Sequence, residues 1–291
     1  MSEPKGRVAV WTEERRRSDE GRQRLEAARR RAGRTLHAEW TKLRTVAGPA
    51  WLLAGTVVLT VAVSAAATAA VRCPAGTACP VDTTKLSLTG IEFGQAVVAI
   101  LAGLVISGEY STGMMRITLT AMPRRSAVLS AKAVLVAGLV LIAGTIAVGG
   151  SLLAGRVILP GHGFTAARGF PLLSLADGPT LRAAAGSVLY LALIALLSLG
   201  IATLVRDSAV AIGVVLGLLY LAPIILSVVA GDPVWSHRLE RYAPMNAGLT
   251  IQDTIGLRGL AISPWGGLGV LAAWAAAAML AGGLVLRWRD A

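Results

Sequence analysis

The chain has 291 residues, 55% of them apolar and only 15% charged, with a mean hydropathy of +0.66. About a quarter of the residues of an ordinary soluble enzyme are charged, so that class is excluded for most of the chain, and so much apolar surface excludes disorder. The net charge of +12 would point to nucleic acid in a soluble protein, but beside membrane spans anionic lipid accounts for it and no nucleic-acid partner is expected.

The charge is uneven, because residues 1–49 hold 13 of the 28 Lys/Arg and 7 of the 16 Asp/Glu. The stretch 12–34, TEERRRSDEGRQRLEAARRRAGR, reads as a solvated, partly helical tail or as an arm held to anionic lipid. Residues 1–34 are therefore treated as a basic arm. In residues 35–48, Leu36, Trp40, Leu43 and Ala47 form one helical stripe, with Glu39, Lys42 and Arg44 off it. Such a helix lies in the membrane interface with its apolar face among the lipid tails. Pro49 is expected to separate it from the first span; the alternative is a plain extension of that span.

Six stretches reach the roughly 20 apolar residues that a bilayer-crossing helix needs. They run about 51–71, 91–107, 127–150, 183–205, 208–230 and 265–286. The second opens with Glu92, and the third carries Lys132 near its start, where a lysine snorkels to water. The other four carry no charge. No stretch alternates with period two, which argues against a membrane barrel. The first span is too long, and too far from the start, for a cleavable signal peptide. The expected fold is all-α: a polytopic membrane protein with six transmembrane helices, an interfacial amphipathic helix before them, and the basic arm.

With six spans both ends lie on one side, and that side collects 20 of the 28 Lys/Arg against 8 opposite. The positive-inside rule then puts both termini in the cytoplasm of a multi-pass plasma-membrane protein. Cys73 and Cys79, in CPAGTAC, fall outside, where a disulfide persists; two free thiols are the alternative. With no His or carboxylate clustered near them, no metal is expected.

The segment ISGEYSTGMMRITLTAMPRRSAVLSAK, residues 106–132, mixes apolar with charged residues on the cytoplasmic side. Glu109 and Arg116 are two helical turns apart, with Tyr110, Met114 and Met115 between them. This suits a short helix docking on a partner through an adaptable methionine surface, the alternative being an ordinary basic loop. Arg206-Asp207 forms a tight turn between spans four and five. The long outer loop 231–264, with Trp235, Tyr242 and PMNAG at 244–248, is expected to form short helices at or dipping into the outer leaflet. Pro223 should kink the fifth span, and Gly213 with Gly217 makes a GxxxG packing face.

The absences narrow the function. No phosphate loop, GxSxG, HExxH or kinase signature occurs, and His37, His162 and His237 are scattered. The span centres show no ionisable residue, which counts against a proton-coupled carrier or an intramembrane enzyme. No catalytic residue is therefore assigned.

In their order along the chain these segments resemble the membrane-spanning subunit of an ATP-binding-cassette exporter of the type-2 class. HAEWTKLRT at 37–45 precedes the first span, and ISGEYSTGMMRITL at 106–119 follows the second, with PRR before the third. VRDSA at 205–209 joins spans four and five, and PMNAG lies in the last outer loop. The likeness covers about residues 35–290, a single permease domain; the 1–34 arm lies outside it. The resemblance implies a separate cassette ATPase that binds ATP and Mg, so this chain is not an enzyme and carries no cofactor. It implies a second permease half, a homodimer partner. It makes Glu109, Tyr110, Gly113 and Arg116 a coupling helix that seats in a groove of the ATPase, and 36–47 the interfacial elbow. ATP-driven closure would push on 108–125 and rotate spans two and five, opening a path suited to a hydrophobic or lipid-like substrate. The competing expectation is a membrane-embedded interaction or anchor protein without transport activity.

Overall fold

The computed structural model describes residues 36–74, 79–111, 125–170, 172–221, 223–225 and 241–288, with the single positions 22 and 33. Among them there is no strand, and six helices are long and apolar enough to cross a membrane. The chain is thus a multi-pass α-helical membrane protein. One end of the bundle carries 36–45, the end of the second span and the Arg206-Asp207 turn; we call it the basic end. The other is the disulfide end.

Helix α1 covers residues 36–45 and is separated from α2, Ala47–Ala70, by Val46 alone, which is extended (φ −100°, ψ 123°). The break comes three residues before Pro49. Proline sits inside the first turn of α2, where its missing N–H has no intrahelical partner to lose. Trp40 on α1 is 42% exposed while Glu39 is buried. The apolar stripe therefore faces outward, toward lipid, and the charged Glu39 faces the bundle.

α2 is turned inside out in the same way. Its buried residues are Thr56, Thr60, Ser64 and Thr68, one per turn, while Trp51 and Val58 face outward. In lipid there is no hydrophobic drive between helices, so small side chains that allow close approach make the contact. Thr56 and Thr68 return their hydroxyls to the carbonyls of Leu52 and Ser64. Ser64 Oγ accepts the N–H of Gly90 at 3.0 Å.

That last contact fixes the depth of α4, Ile91–Ser111. A Cβ on Gly90 would lie 2.0 Å from Thr60 O, and one on Gly94 would lie 2.1 Å from Thr60 Oγ1. Thr60 is near the middle of the 24-residue α2, so α4 starts about halfway down the bundle. The chain reaches it through the short helix α3, Thr83–Ser87, and the buried Leu88 and Gly90. At its other end α4 runs four residues beyond the expected 107 and protrudes past the start of α2.

α5, Arg125–Gly161, has 37 residues, eleven more at its end than the expected 127–150. At about 1.5 Å per residue it is about 55 Å long, well over the roughly 30 Å hydrocarbon core. Gly150 packs on Val61 of α2, and the excess stands out at the disulfide end. There it carries Leu159, which with Phe164, Leu173 and Cys73 makes a second small core. Arg156, expected in a loop, is in this helix and donates to Leu173 O at 3.2 Å.

α6, Gly178–Val205, begins five residues before the expected 183 and is the central helix, packed on α4, α5 and the last span. α7, Ser208–Leu216, passes into a π turn, Gly217–Leu221, just before Pro223. A π turn is a recognised site of helix kinking, so the bend expected at Pro223 is prepared one turn earlier. α8, Pro244–Leu249, and the 3₁₀ turn Thr250–Gln252 are packed against α6 and α9, Pro264–Trp288. A Cβ on Gly267 of α9 would sit 1.9 Å from Ala247 O, and one on Gly248 would sit 2.5 Å from the Tyr190 ring. The PMNAG segment is thus folded into the bundle, not laid on it.

Candidate functional site

Among the described residues three polar assemblies interrupt the apolar bundle, one at each end and one between. At the basic end, Glu39 of α1 reaches into the bundle. Its Oε2 lies 2.6 Å from Lys132 Nζ of α5 and its Oε1 3.3 Å from Lys42 Nζ. Both Glu39 and Lys132 are buried. This overturns the expectation that Lys132 snorkels to water, and it turns Glu39, off the apolar stripe, into the bundle. Each charge is the other's partner, which is the arrangement a buried charge requires.

At the same end of the bundle, the guanidinium of Arg206 lies over the Tyr110 ring, 5.4 Å from its centroid. Arg206 caps α6 in the left-handed conformation, φ 63°, which costs a non-glycine residue about 1–2 kcal/mol. Its N–H closes the helix on Ala202 O at 3.0 Å, and Asp207 then caps α7 by accepting from Val210 N at 2.9 Å. Two residues thus end one helix and start the next. Strain of this kind at a conformationally demanding residue marks a place where the side chain is wanted.

Of the candidate coupling residues, Tyr110 is in the last turn of α4 and packs against the core. Glu109 is in the same turn by its backbone; its side chain, and all of Gly113 and Arg116, lie outside the described residues. Leu36 and Leu43 are half-buried, and Trp40 is exposed. Among the described residues Gly213 and Gly217 meet no other helix, since a Cβ on either would have nothing within 4 Å. Their GxxxG face, shared with Val210, Val214 and Leu221, is open.

At the disulfide end Cys73 and Cys79 are joined by a disulfide, with Cα atoms 6.0 Å apart. Arg168 Nη1 donates to Cys73 O at 2.9 Å, and Cys73 N donates to His162 O at 2.9 Å, which ties this loop to the end of α5. Beside it, Asp82 caps α3 through the N–H groups of Thr84 and Lys85, and also accepts from Thr254 N, Thr254 Oγ1 and Ile255 N. Lys85 Nζ is 2.7 Å from Asp253 Oδ1, and Arg182 Nη2 of α6 donates to Asp253 O. Loops distant in sequence are latched here by charge.

The third assembly is at mid-depth. Tyr190 of α6 donates to Gln95 Oε1 of α4, and Tyr220, in the π turn, donates to the main-chain oxygen of Glu92. Gln95 and Tyr190 are fully buried, and Gln95 Nε2 has no partner among the described residues. Sequence reasoning passed over Gln95, Tyr190 and Tyr220, and took Glu92 for the rim of its span. The signal was there: a glutamine three residues after a glutamate, on one helical face of an apolar run.

Neither the family models nor the curated proteins compared with the chain match it.

Proposed function

We propose that the chain is the permease subunit of an ATP-binding-cassette exporter of the type-2 class, working with a separate ATPase that binds ATP and Mg. The reading is supported by two contacts at one end of the bundle that involve three of these motifs. Tyr110 of the GEYSTG segment lies under Arg206 of the VRDSA turn, and Glu39 of the EWTKLRT helix is bonded to α5 just after PRR. A push delivered at 108–125 would therefore pass to α6, α7 and the interfacial helix together. In this reading the basic end faces the cytoplasm of the plasma membrane and the disulfide end faces outside. The open Val210–Gly213–Val214–Gly217–Leu221 face supports a second copy as partner, small residues being what membrane helix contacts use. Nucleic acid has no part in it.

The test is affinity purification in mild detergent with identification of the bound subunits. A cassette ATPase is expected with the chain, and the chain alone should hydrolyse no ATP. Glu109→Arg should reduce the ATPase recovered per permease while insertion is intact, because like-charge juxtaposition at a contact costs several kcal/mol. If no ATPase co-purifies and Glu109→Arg changes nothing, the chain is a membrane-embedded anchor protein instead.

A further inference from the structure

Glu92 lies deeper than a first-turn residue of a span ordinarily does. Gly90 and Gly94, on either side of it, both close on Thr60 at the middle of α2. The next landmark agrees: Gln95, one turn on, meets Tyr190 near the middle of the 28-residue α6. The main chain at Glu92 is therefore near mid-height of the helix bundle, and its carboxylate is set well inside the run of the spans. A charge at that depth is strongly unfavourable unless it is met by an opposite one, and such residues mark functional sites.

Nothing among the described residues supplies that opposite charge by contact. No hydrogen bond or ion pair holds the Glu92 side chain; its bond to Tyr220 uses the main-chain oxygen. Lys85, whose charge acts on Glu92 from a distance, is held by contact 2.7 Å from Asp253 instead. The carboxylate is only half-buried, and its neighbour Phe93 is exposed on the flank of the bundle. A molecule dissolved in the bilayer has a lateral route to it. Around it stand two tyrosines and the buried Nε2 of Gln95, which lies toward the Tyr220 side chain and completes no hydrogen bond among the described residues. Tyr220 belongs to a π turn, a geometry that recurs at functional sites.

From this arrangement we propose that Glu92, Gln95, Tyr190 and Tyr220 form a membrane-depth binding site for the cationic group of an amphipathic organic molecule. Glu92 pairs with the positive charge. Gln95 Nε2 donates to an acceptor atom beside that charge. Tyr220, from the π turn, and Tyr190, from α6, hold Glu92 by its main-chain oxygen and Gln95 by its Oε1. Naming that molecule the transported substrate rests on the exporter reading; the binding itself does not.

The experiment uses the purified full chain in phosphatidylcholine nanodiscs, with empty nanodiscs as the blank. The probes are tetraphenylphosphonium, a lipophilic cation, and tetraphenylborate, an anion of the same shape, measured by equilibrium dialysis. Saturable binding of the cation that the anion does not displace is expected. Glu92→Gln should weaken it tenfold or more, Glu92→Asp by only a few-fold, and Tyr220→Phe by several-fold through loosening of the π turn. Each variant must elute as the parent does from a sizing column; if Glu92→Gln does not, the comparison of Glu92→Asp with Tyr220→Phe decides, and equal binding in both with the parent overturns the site. Absence of saturable cation binding, equal displacement by the anion, unchanged binding in Glu92→Gln, or displacement by millimolar sodium, which would make this an inorganic-cation site, likewise overturns it. Cation binding without any co-purified ATPase would remove the exporter reading and leave the site standing; an ATPase bound to a chain that takes no cation would do the reverse.

Discussion

Lys132 Nζ lies 2.6 Å from Glu39 Oε2, and the two side chains are 3% and 2% exposed. The pair joins α1 to α5 across 93 residues of sequence. It fixes α1 to the start of the third span where α1 turns a buried charge inward. An ion pair this deep adds little net stability over an apolar pair, yet leaving either charge alone is costly. Its role is therefore to set the orientation of α1.

A first prediction follows from that asymmetry. Lys132→Met or Glu39→Leu alone should destabilise the protein by about 3–5 kcal/mol, the usual penalty for stranding a buried charge. The double variant Glu39→Leu with Lys132→Met should recover most of the loss. Thermal unfolding in detergent, read as a double-mutant cycle, measures it. Strictly additive losses would mean that the two residues do not stabilise one another.

The glycines provide a second prediction, in opposite directions. Gly90→Ala places a methyl 2.0 Å from the main-chain oxygen of Thr60, an atom that cannot swing aside. The α2–α4 contact must open, at about 1–3 kcal/mol for overpacking. Gly213→Ala meets nothing within 4 Å and should stabilise the isolated chain by up to about 1 kcal/mol, the helix propensity difference. Thermal midpoints of the two variants should move to opposite sides of the parent. If Gly213→Leu also lowers the yield of cross-linked dimer while sparing the midpoint, the open face of α7 is a subunit contact.

The latch at the disulfide end carries a third prediction. Loss of an N-cap alone costs about 1 kcal/mol. Asp82 also receives Thr254 N, Thr254 Oγ1 at 2.7 Å and Ile255 N at 3.2 Å, and each donor left unmet adds to the cost. Asp82→Ala should therefore cost at least about 2 kcal/mol and raise amide exchange at 250–256, far from the substitution in sequence. A cost no larger than a cap, with exchange at 250–256 unchanged, would show that the two loops are not coupled.

What the amino-acid order determined here is whatever depends on runs and local spacing. Six spans and the two-residue turn at Arg206-Asp207 were legible because a bilayer-crossing helix needs a long apolar run, and breaks in that run mark its ends; the separate short helix over 36–45 was legible from its apolar stripe. The Ser/Thr repeat at 56, 60, 64 and 68 was equally legible by its four-residue spacing, though hydropathy averages it away. Depth was not legible. Whether Glu92 lies at the rim or the centre depends on how α4 slides along α2, which is decided by Gly90 and Gly94 closing on Thr60. Nor was the pairing of Glu39 with Lys132, or of Tyr110 with Arg206, since each joins residues about a hundred positions apart. Hydropathy counts charges along one helix and is blind to the neighbour that meets them. Only packing fixes which faces touch and at what height, because a buried charge takes its meaning from the atoms within a few ångströms, and those belong to other helices.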